Sequence, residues 1–166
     1  NYIFCPKGYI DKIEKVYEPI SLQDYSLIKT GFKKHNKINK QNLLLLSTSG
    51  TTQNPKFVRL SNTNLQSNTK SIMKYLKINS SHTTITTMPM GYSYGLSIIN
   101  THLESGSKIV VSDKTIFDKE FWNKVNKYKV TSFGWVPQFY EQLKKIKFEN
   151  FNLSSLKYLT QAGGKL

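Results

Sequence analysis

At 166 residues the chain is sized for one domain with a real core, and 38% hydrophobic content with 13% aromatics excludes disorder throughout. Its 24 basic against 10 acidic residues leave a net charge of +14, yet Arg59 is the only arginine. The bidentate readout of specific nucleic-acid modules is therefore nearly absent, and the lysines read as solvated surface. No stretch approaches the roughly 18 apolar residues of a membrane span, and Asn1–Pro6 has neither the basic nor the apolar region of a signal peptide. A lone cysteine, Cys5, cannot close an internal disulfide. A soluble, cytoplasmic protein with no transmembrane segment is the expectation.

In chain order, residues 1–42 are punctuated by Pro6, Gly8, Pro19 and Gly31 and carry the basic run Lys33-Lys34-His35, which predicts an irregular or edge segment. Leu43-Leu44-Leu45-Leu46 has the length of a buried strand, and Phe57-Val58-Arg59-Leu60-Ser61 alternates like a second one. Between them runs Ser47-Thr48-Ser49-Gly50-Thr51-Thr52-Gln53-Asn54-Pro55-Lys56. Gly50 lets backbone N–H groups approach an anion closely, and the hydroxyls of Thr48, Ser49, Thr51 and Thr52 add donors. Lys56 adds a mobile charge, while Pro55 limits the loop's freedom before it. This chemistry predicts a polyphosphate loop and hence ATP. It is not a Walker A loop, since Pro55 precedes Lys56 and Phe57 follows it. An ordinary Ser/Thr-rich turn between two strands is the plain alternative.

Beyond the loop, Asn62 or Thr63 can cap a helix carrying Leu65, Ile72, Met73 and Leu76 and ending near Lys77. The β-branched run Thr83–Thr87 reads as a strand leading into Pro89. A helix over 94–104, with Leu96, Ile99 and Leu103 on one face, is stopped by Gly106, and Lys108–Ser112 is the next strand. Asp118 can cap a helix carrying Phe121, Trp122, Val125 and Tyr128. Strand Val130–Val136 follows, then a helix opened by Pro137 with Phe139, Leu143 and Ile146 as its buried stripe. Repeated alternation predicts an α/β fold, a layered and largely parallel sheet with helices on both faces.

Three segments resemble one family in its order. Thr48 through Lys56, with Val58, resembles the phosphate loop Thr-Ser-Gly-Thr-Thr-Gly-x-Pro-Lys-x-Val of the adenylate-forming superfamily, which includes AMP-binding acyl-CoA and aryl-CoA synthetases and adenylation domains. Met88-Pro89-Met90-Gly91-Tyr92-Ser93-Tyr94-Gly95-Leu96-Ser97 resembles its Pro-Leu-Phe-His-x-x-Gly-Leu segment. Leu156–Leu166, with Thr160-Gln161-Ala162-Gly163-Gly164, resembles its strand and Gly-Gly turn. One position departs: Gln53 stands where the family has its second glycine, which should stiffen or redirect the loop.

The resemblance implies a partial N-terminal domain of an adenylate-forming enzyme, with residues 43–166 as a partial AMP-binding core. The family's Tyr-Gly-x-Thr-Glu motif, its ribose-gripping Asp and its C-terminal domain with a catalytic Lys are not in this sequence. The chain is thus expected to be a fragment, inactive alone, of a ligase that joins a carboxylic acid to AMP and then to a thiol. Implied ligands are ATP with Mg2+, whose family glutamate is missing here, a carboxylate substrate, and the thiol of CoA or of a pantetheine on an acyl carrier protein. Lys56 and Thr52 take catalytic roles, with Thr48, Ser49, Gly50 and Thr51 holding the departing phosphates. Gly163 and Gly164 admit substrate and adenine to the backbone. Tyr92 and Gln161 contact substrate, and Trp135, which by itself reads as core with Tyr140, has an alternative place on the wall of an acyl tunnel. No metal ligand set is expected, because His35, His82 and His102 lack metal spacing. Two rivals remain: a degenerate nucleotide-binding module without turnover, with Gln53 as its sign, and a basic nucleic-acid or anionic-surface binder motivated by charge alone.

Overall fold

The computed structural model describes residues 2–13, 19–31, 39–48, 56–86, 88–143, 145–146 and 151–165. The chain divides into two compact units, residues 1–39 and 40–166. In the first, strands β1 (Tyr2–Pro6), β2 (Ile20–Leu22) and β3 (Tyr25–Lys29) form an antiparallel sheet in the order β1-β3-β2. A 3-10 helix, Lys7–Lys12, follows β1. Ser26 and Ile28 are buried while Tyr25 and Lys29 are exposed, the period of two expected of a strand with one covered face. Gln23, at positive φ, turns the chain between β2 and β3. Paired strands therefore run through part of the stretch expected to be an irregular or edge segment.

The second unit opens with β4 (Leu44–Ser47) and β5 (Phe57–Leu60), an antiparallel pair in which Leu44 faces Leu60 and Ser47 faces Phe57. Helix α1 (Asn62–Leu76) follows, capped by Ser61, one residue before the expected cap. The Ser61 hydroxyl accepts from the Asn64 backbone at 3.1 Å while the Asn64 side chain accepts from the Ser61 N–H at 3.0 Å. Asn here fills the role usually given to Glu or Gln in a capping box.

The remainder is a four-stranded parallel sheet ordered β7-β6-β8-β9, from β6 (Thr83–Thr86), β7 (Lys108–Val111), β8 (Ser132–Trp135) and β9 (Tyr158–Gln161). Helices α2 (Ser93–Glu104), α3 (Lys119–Lys127) and α4 (Pro137–Leu143) connect the strands. From β6 the chain steps to one side to reach β7, and from β8 to the other to reach β9. Right-handed crossovers in opposite directions place their helices on opposite faces. Ile85, Phe133 and Trp135 accordingly pack with Phe121, Trp122 and Val125 of α3 and Leu143 of α4. On the other face α2 lies over Thr84, Ser132 and Gly134. The expected layered α/β fold with helices on both faces is present.

Three expectations change in detail. The buried face of α2 is Gly95, Ile98, Thr101 and His102, whereas Leu103 is 66% exposed; the polar groups face the sheet because the sheet is polar there. Asp118 stands at the N-cap of α3, its carbonyl accepting from the Phe121 N–H at 3.0 Å but its side chain making no bond to the helix. Its carboxylate accepts instead from the backbone and hydroxyl of Thr115 at 2.7 and 2.9 Å, which holds its pKa below the usual value. Tyr128 ends α3 exposed, with the Lys127 ammonium over its ring. Among the described residues no helix is long and apolar enough to cross a membrane.

Candidate active site

In a parallel sheet every strand ends at the same edge, and the crevice outside those ends is deepest where connections leave in opposite directions. Here that point lies between β6 and β8. The segment Met88–Ser97 follows β6, Pro137 follows β8, and Ala162-Gly163-Gly164 follows β9. Segments far apart in sequence thus share one edge because the strands are parallel and adjacent.

Tyr92 and Gly163 come close together at this edge. Gly163 has φ +98°, and a Cβ on it would lie 2.8 Å from the Tyr92 hydroxyl. The backbone conformation favours glycine there, and any Cβ would also displace the phenol above it. Gly164 lies beside the Pro137 ring, where a Cβ would sit 3.4 Å from Cγ. Tyr92, at the N-cap of α2, is 36% exposed and donates its backbone N–H to the Pro89 carbonyl at 3.1 Å.

A second tyrosine, two residues on, ties helix to sheet. The Tyr94 hydroxyl meets Thr160 Oγ1 at 2.7 Å, and its ring crosses Gly134 so tightly that any Cβ there would collide with the phenol and with Thr160. Tyr140, on α4, donates its hydroxyl to the Thr160 carbonyl at 2.5 Å. Burial pushes both phenols' pKa values up, so each stays a neutral hydrogen-bonding group. Thr160 is thereby held by helices from both faces, three residues before Gly163.

Beside this edge a cleft of about 280 Å³ runs between α1, α2 and the sheet, lined by Tyr94, Ile98, His102, Thr160, Gln161 and Ala162 among others. Gln161 borders the cleft, although its register with Trp135 directs its side chain to the opposite face of the sheet. Trp135 does not converge with these groups: it is 2% exposed, among Phe121, Phe133, Phe139 and Tyr140.

Of the loop residues, Ser49, Gly50, Thr51 and Thr52, with Gln53, lie outside the described residues. The two ends of the loop are described. Thr48 donates its backbone N–H to the Lys56 carbonyl at 2.9 Å, and its hydroxyl reaches the same oxygen at 3.4 Å. The β4–β5 pairing therefore continues to the mouth of the loop, bringing its first and last residues together. The sequence reading missed Tyr94, Gly134 and Thr160; Tyr94 and Thr160 were inside quoted motifs, whereas Gly134 had no local signal.

The model of the family described as AMP-binding enzyme matches residues 10–166. The chain belongs to the AMP-binding enzyme family. Oxalate–CoA ligase of Arabidopsis thaliana is 32% identical over 100 residues, covering 59% of this chain and 20% of that protein. The o-succinylbenzoate CoA synthetase of Bacillus subtilis, solved with an acyl-adenylate intermediate, superposes with a TM-score of 0.65 at 23% identity, covering 74% of this chain and 31% of that one. A fatty acyl-adenylate ligase from L. pneumophila, solved with acyl adenylate and pyrophosphate, gives 0.64 at 26%, covering 77% and 24%. This AMP-binding chain spans about a fifth of its curated relative.

Proposed function

We propose that the protein containing this chain activates a carboxylic acid with ATP and then transfers it to a thiol, as an acyl-CoA synthetase-like ligase. A carboxylate oxygen attacks the α-phosphorus and the bond to pyrophosphate breaks; the sulfur of CoA or of a carrier-protein pantetheine then attacks the acyl carbon of the adenylate, the carbon–oxygen bond to phosphate breaks, and AMP leaves. The observation that carries this reading is the seating of Tyr92 over Gly163, which joins two of the three family segments beside an open cleft. Family membership supports it, as do solved relatives holding an acyl adenylate, or an acyl adenylate with pyrophosphate.

In this reading Thr48, Ser49, Gly50, Thr51, Thr52 and Lys56 receive the β- and γ-phosphates, where donors in a closed loop stabilise the negative charge that develops on the leaving group. The Thr48–Lys56 bonds close the base of that loop. Mg2+ accompanies the nucleotide; the glutamate that serves it in the family is not among these 166 residues. Gly163 and Gly164 admit the reacting groups to the backbone, and the cleft beyond Tyr92 takes the acid's hydrocarbon part. Tyr92 and Gln161 contact it; Trp135 acts behind them as packing. A cytoplasmic setting fits the free thiol of Cys5.

Carboxylate-dependent ATP/pyrophosphate exchange by the full-length protein tests the proposal, over fatty, aryl and amino acids. Lys56→Ala is expected to lower exchange on the order of a hundredfold. Unchanged kinetics would remove Lys56 from the role. ATP binding with no exchange for any acid would favour a degenerate module, for which Gln53 in place of the family glycine is the motivating residue.

A further inference from the structure

The cleft has a polar end that the adenylation chemistry does not use. His102, Ser132 and Tyr158 line it away from Gly163, and His102 Nε2, Ser132 Oγ and the Tyr158 hydroxyl are buried without a hydrogen-bond partner among the described residues. His102 is 4% exposed and Ser132 2%. Ser132 is close enough to Tyr158 to draw the phenol's pKa down against the upward push of burial, yet the two oxygens do not meet in hydrogen-bonding geometry. Three such groups lining one cleft are costly, since each unmade bond leaves a desolvation penalty of about 1–3 kcal/mol.

The role of each atom follows from its neighbours. His102 Nδ1 lies 2.8 Å from the Ile98 carbonyl, an acceptor, so Nδ1 carries the proton. Nε2 is then a bare acceptor, and desolvation keeps the ring neutral by lowering its pKa. The Tyr158 and Ser132 hydroxyls can each donate and accept. The rest of the lining combines apolar side chains such as Ile72 and Leu76 with hydroxyls of Thr84, Ser97, Thr101 and Thr160 that already have partners in the protein, and among the described residues no Asp, Glu, Lys or Arg lines the cleft. This end therefore suits a neutral group that both donates and accepts. A second carboxylate would be buried without a countercharge, and a methyl group would leave all three polar atoms unsatisfied.

We infer that the cleft selects a carboxylic acid bearing a hydroxyl at the end remote from its carboxylate, the hydroxyl donating to His102 Nε2 and accepting from Tyr158 or Ser132. The inference rests on the proposed activation of a carboxylic acid.

The test is pyrophosphate exchange by the full-length protein with matched straight-chain and aryl acids ending in hydroxyl, methyl or carboxylate. The hydroxyl member is expected to exceed the methyl member roughly tenfold or more in kcat/KM, with the dicarboxylate last. His102→Leu should collapse that ratio, a comparison within one preparation that does not depend on yield. With 15N-histidine in the unmodified protein, the Nε2 resonance of His102 should move on adding the hydroxy acid and stay with its methyl counterpart. Equal rates for the two acids, a ratio that survives His102→Leu, or an unmoved resonance would each overturn the inference while leaving acid activation standing. No exchange with any acid would remove both.

Discussion

The two faces of the parallel sheet are built for different ends. One is dry and aromatic: Phe121, Trp122, Phe133 and Trp135 meet edge-on or tilted at centroid distances of 4.7 to 6.4 Å. Trp122 stacks on Phe151 at 4.1 Å and donates its indole N–H to the Ile116 carbonyl at 2.7 Å. The other face presents Thr84, Ser132, Gly134 and Thr160 under a helix whose buried residues include Thr101 and His102. A face packed with rings leaves no room for a ligand, and a face of small polar groups under one long phenol leaves a cleft. Strand alternation makes this division possible, since each of β6 and β8 sends successive residues to opposite sides.

The largest effect that separates the faces is expected from Trp135→Ala. Removing a core indole should cost about 3–5 kcal/mol in denaturant unfolding, with the ranking of acids in the exchange assay preserved. A changed acid preference at undiminished stability would move Trp135 from the packed face to a substrate wall.

Tyr94→Phe is expected to do the reverse. It breaks the 2.7 Å bond to Thr160, costing roughly 1 kcal/mol of stability, and raises the KM for the acid more than it lowers the kcat. Equal changes in both, or in neither, would show that the phenol ties helix to sheet without shaping the cleft.

The smallest effect lies in pH. Burial lowers the pKa values of His82 and His102 from 6.5, with Lys157 adding to the shift at His82 and His82 adding to it at His102. Below 6.5 the unfolded chain takes up protons that the folded chain refuses, so stability falls with pH from 6.5 down to the lowered native values, and is fully present above that window. Unfolding midpoints should drop as pH falls through it, with a shallower slope in His102→Leu. An unchanged slope would take His102 out of the buried set.

Much of the second unit was legible because its elements satisfy local rules. The strands, the end of α1 near Lys77, the stop at Gly106 and the opening of α4 by Pro137 follow from residues within a turn of each other. Helix α2 was misread because its apolar residues Leu96, Ile99 and Leu103 suggested one stripe, while burial follows the sheet it covers. There the sheet offers hydroxyls and a glycine, so Thr101 and His102 go inward and Leu103 outward. The sheet of the first unit was obscured by Pro and Gly that fall at strand ends, where they interrupt no ladder.

What this sequence determined by itself was the order of strands and helices and the family, since three spaced motifs and a hydrophobic period require no knowledge of neighbours. Only the tertiary structure decided that Tyr92 rests on Gly163, that Tyr94 needs Gly134, and that His102, Ser132 and Tyr158 meet in one cleft. Those pairings join residues 26 to 71 positions apart, and proximity over such spans is set by strand order and crossover hand, which no local pattern encodes.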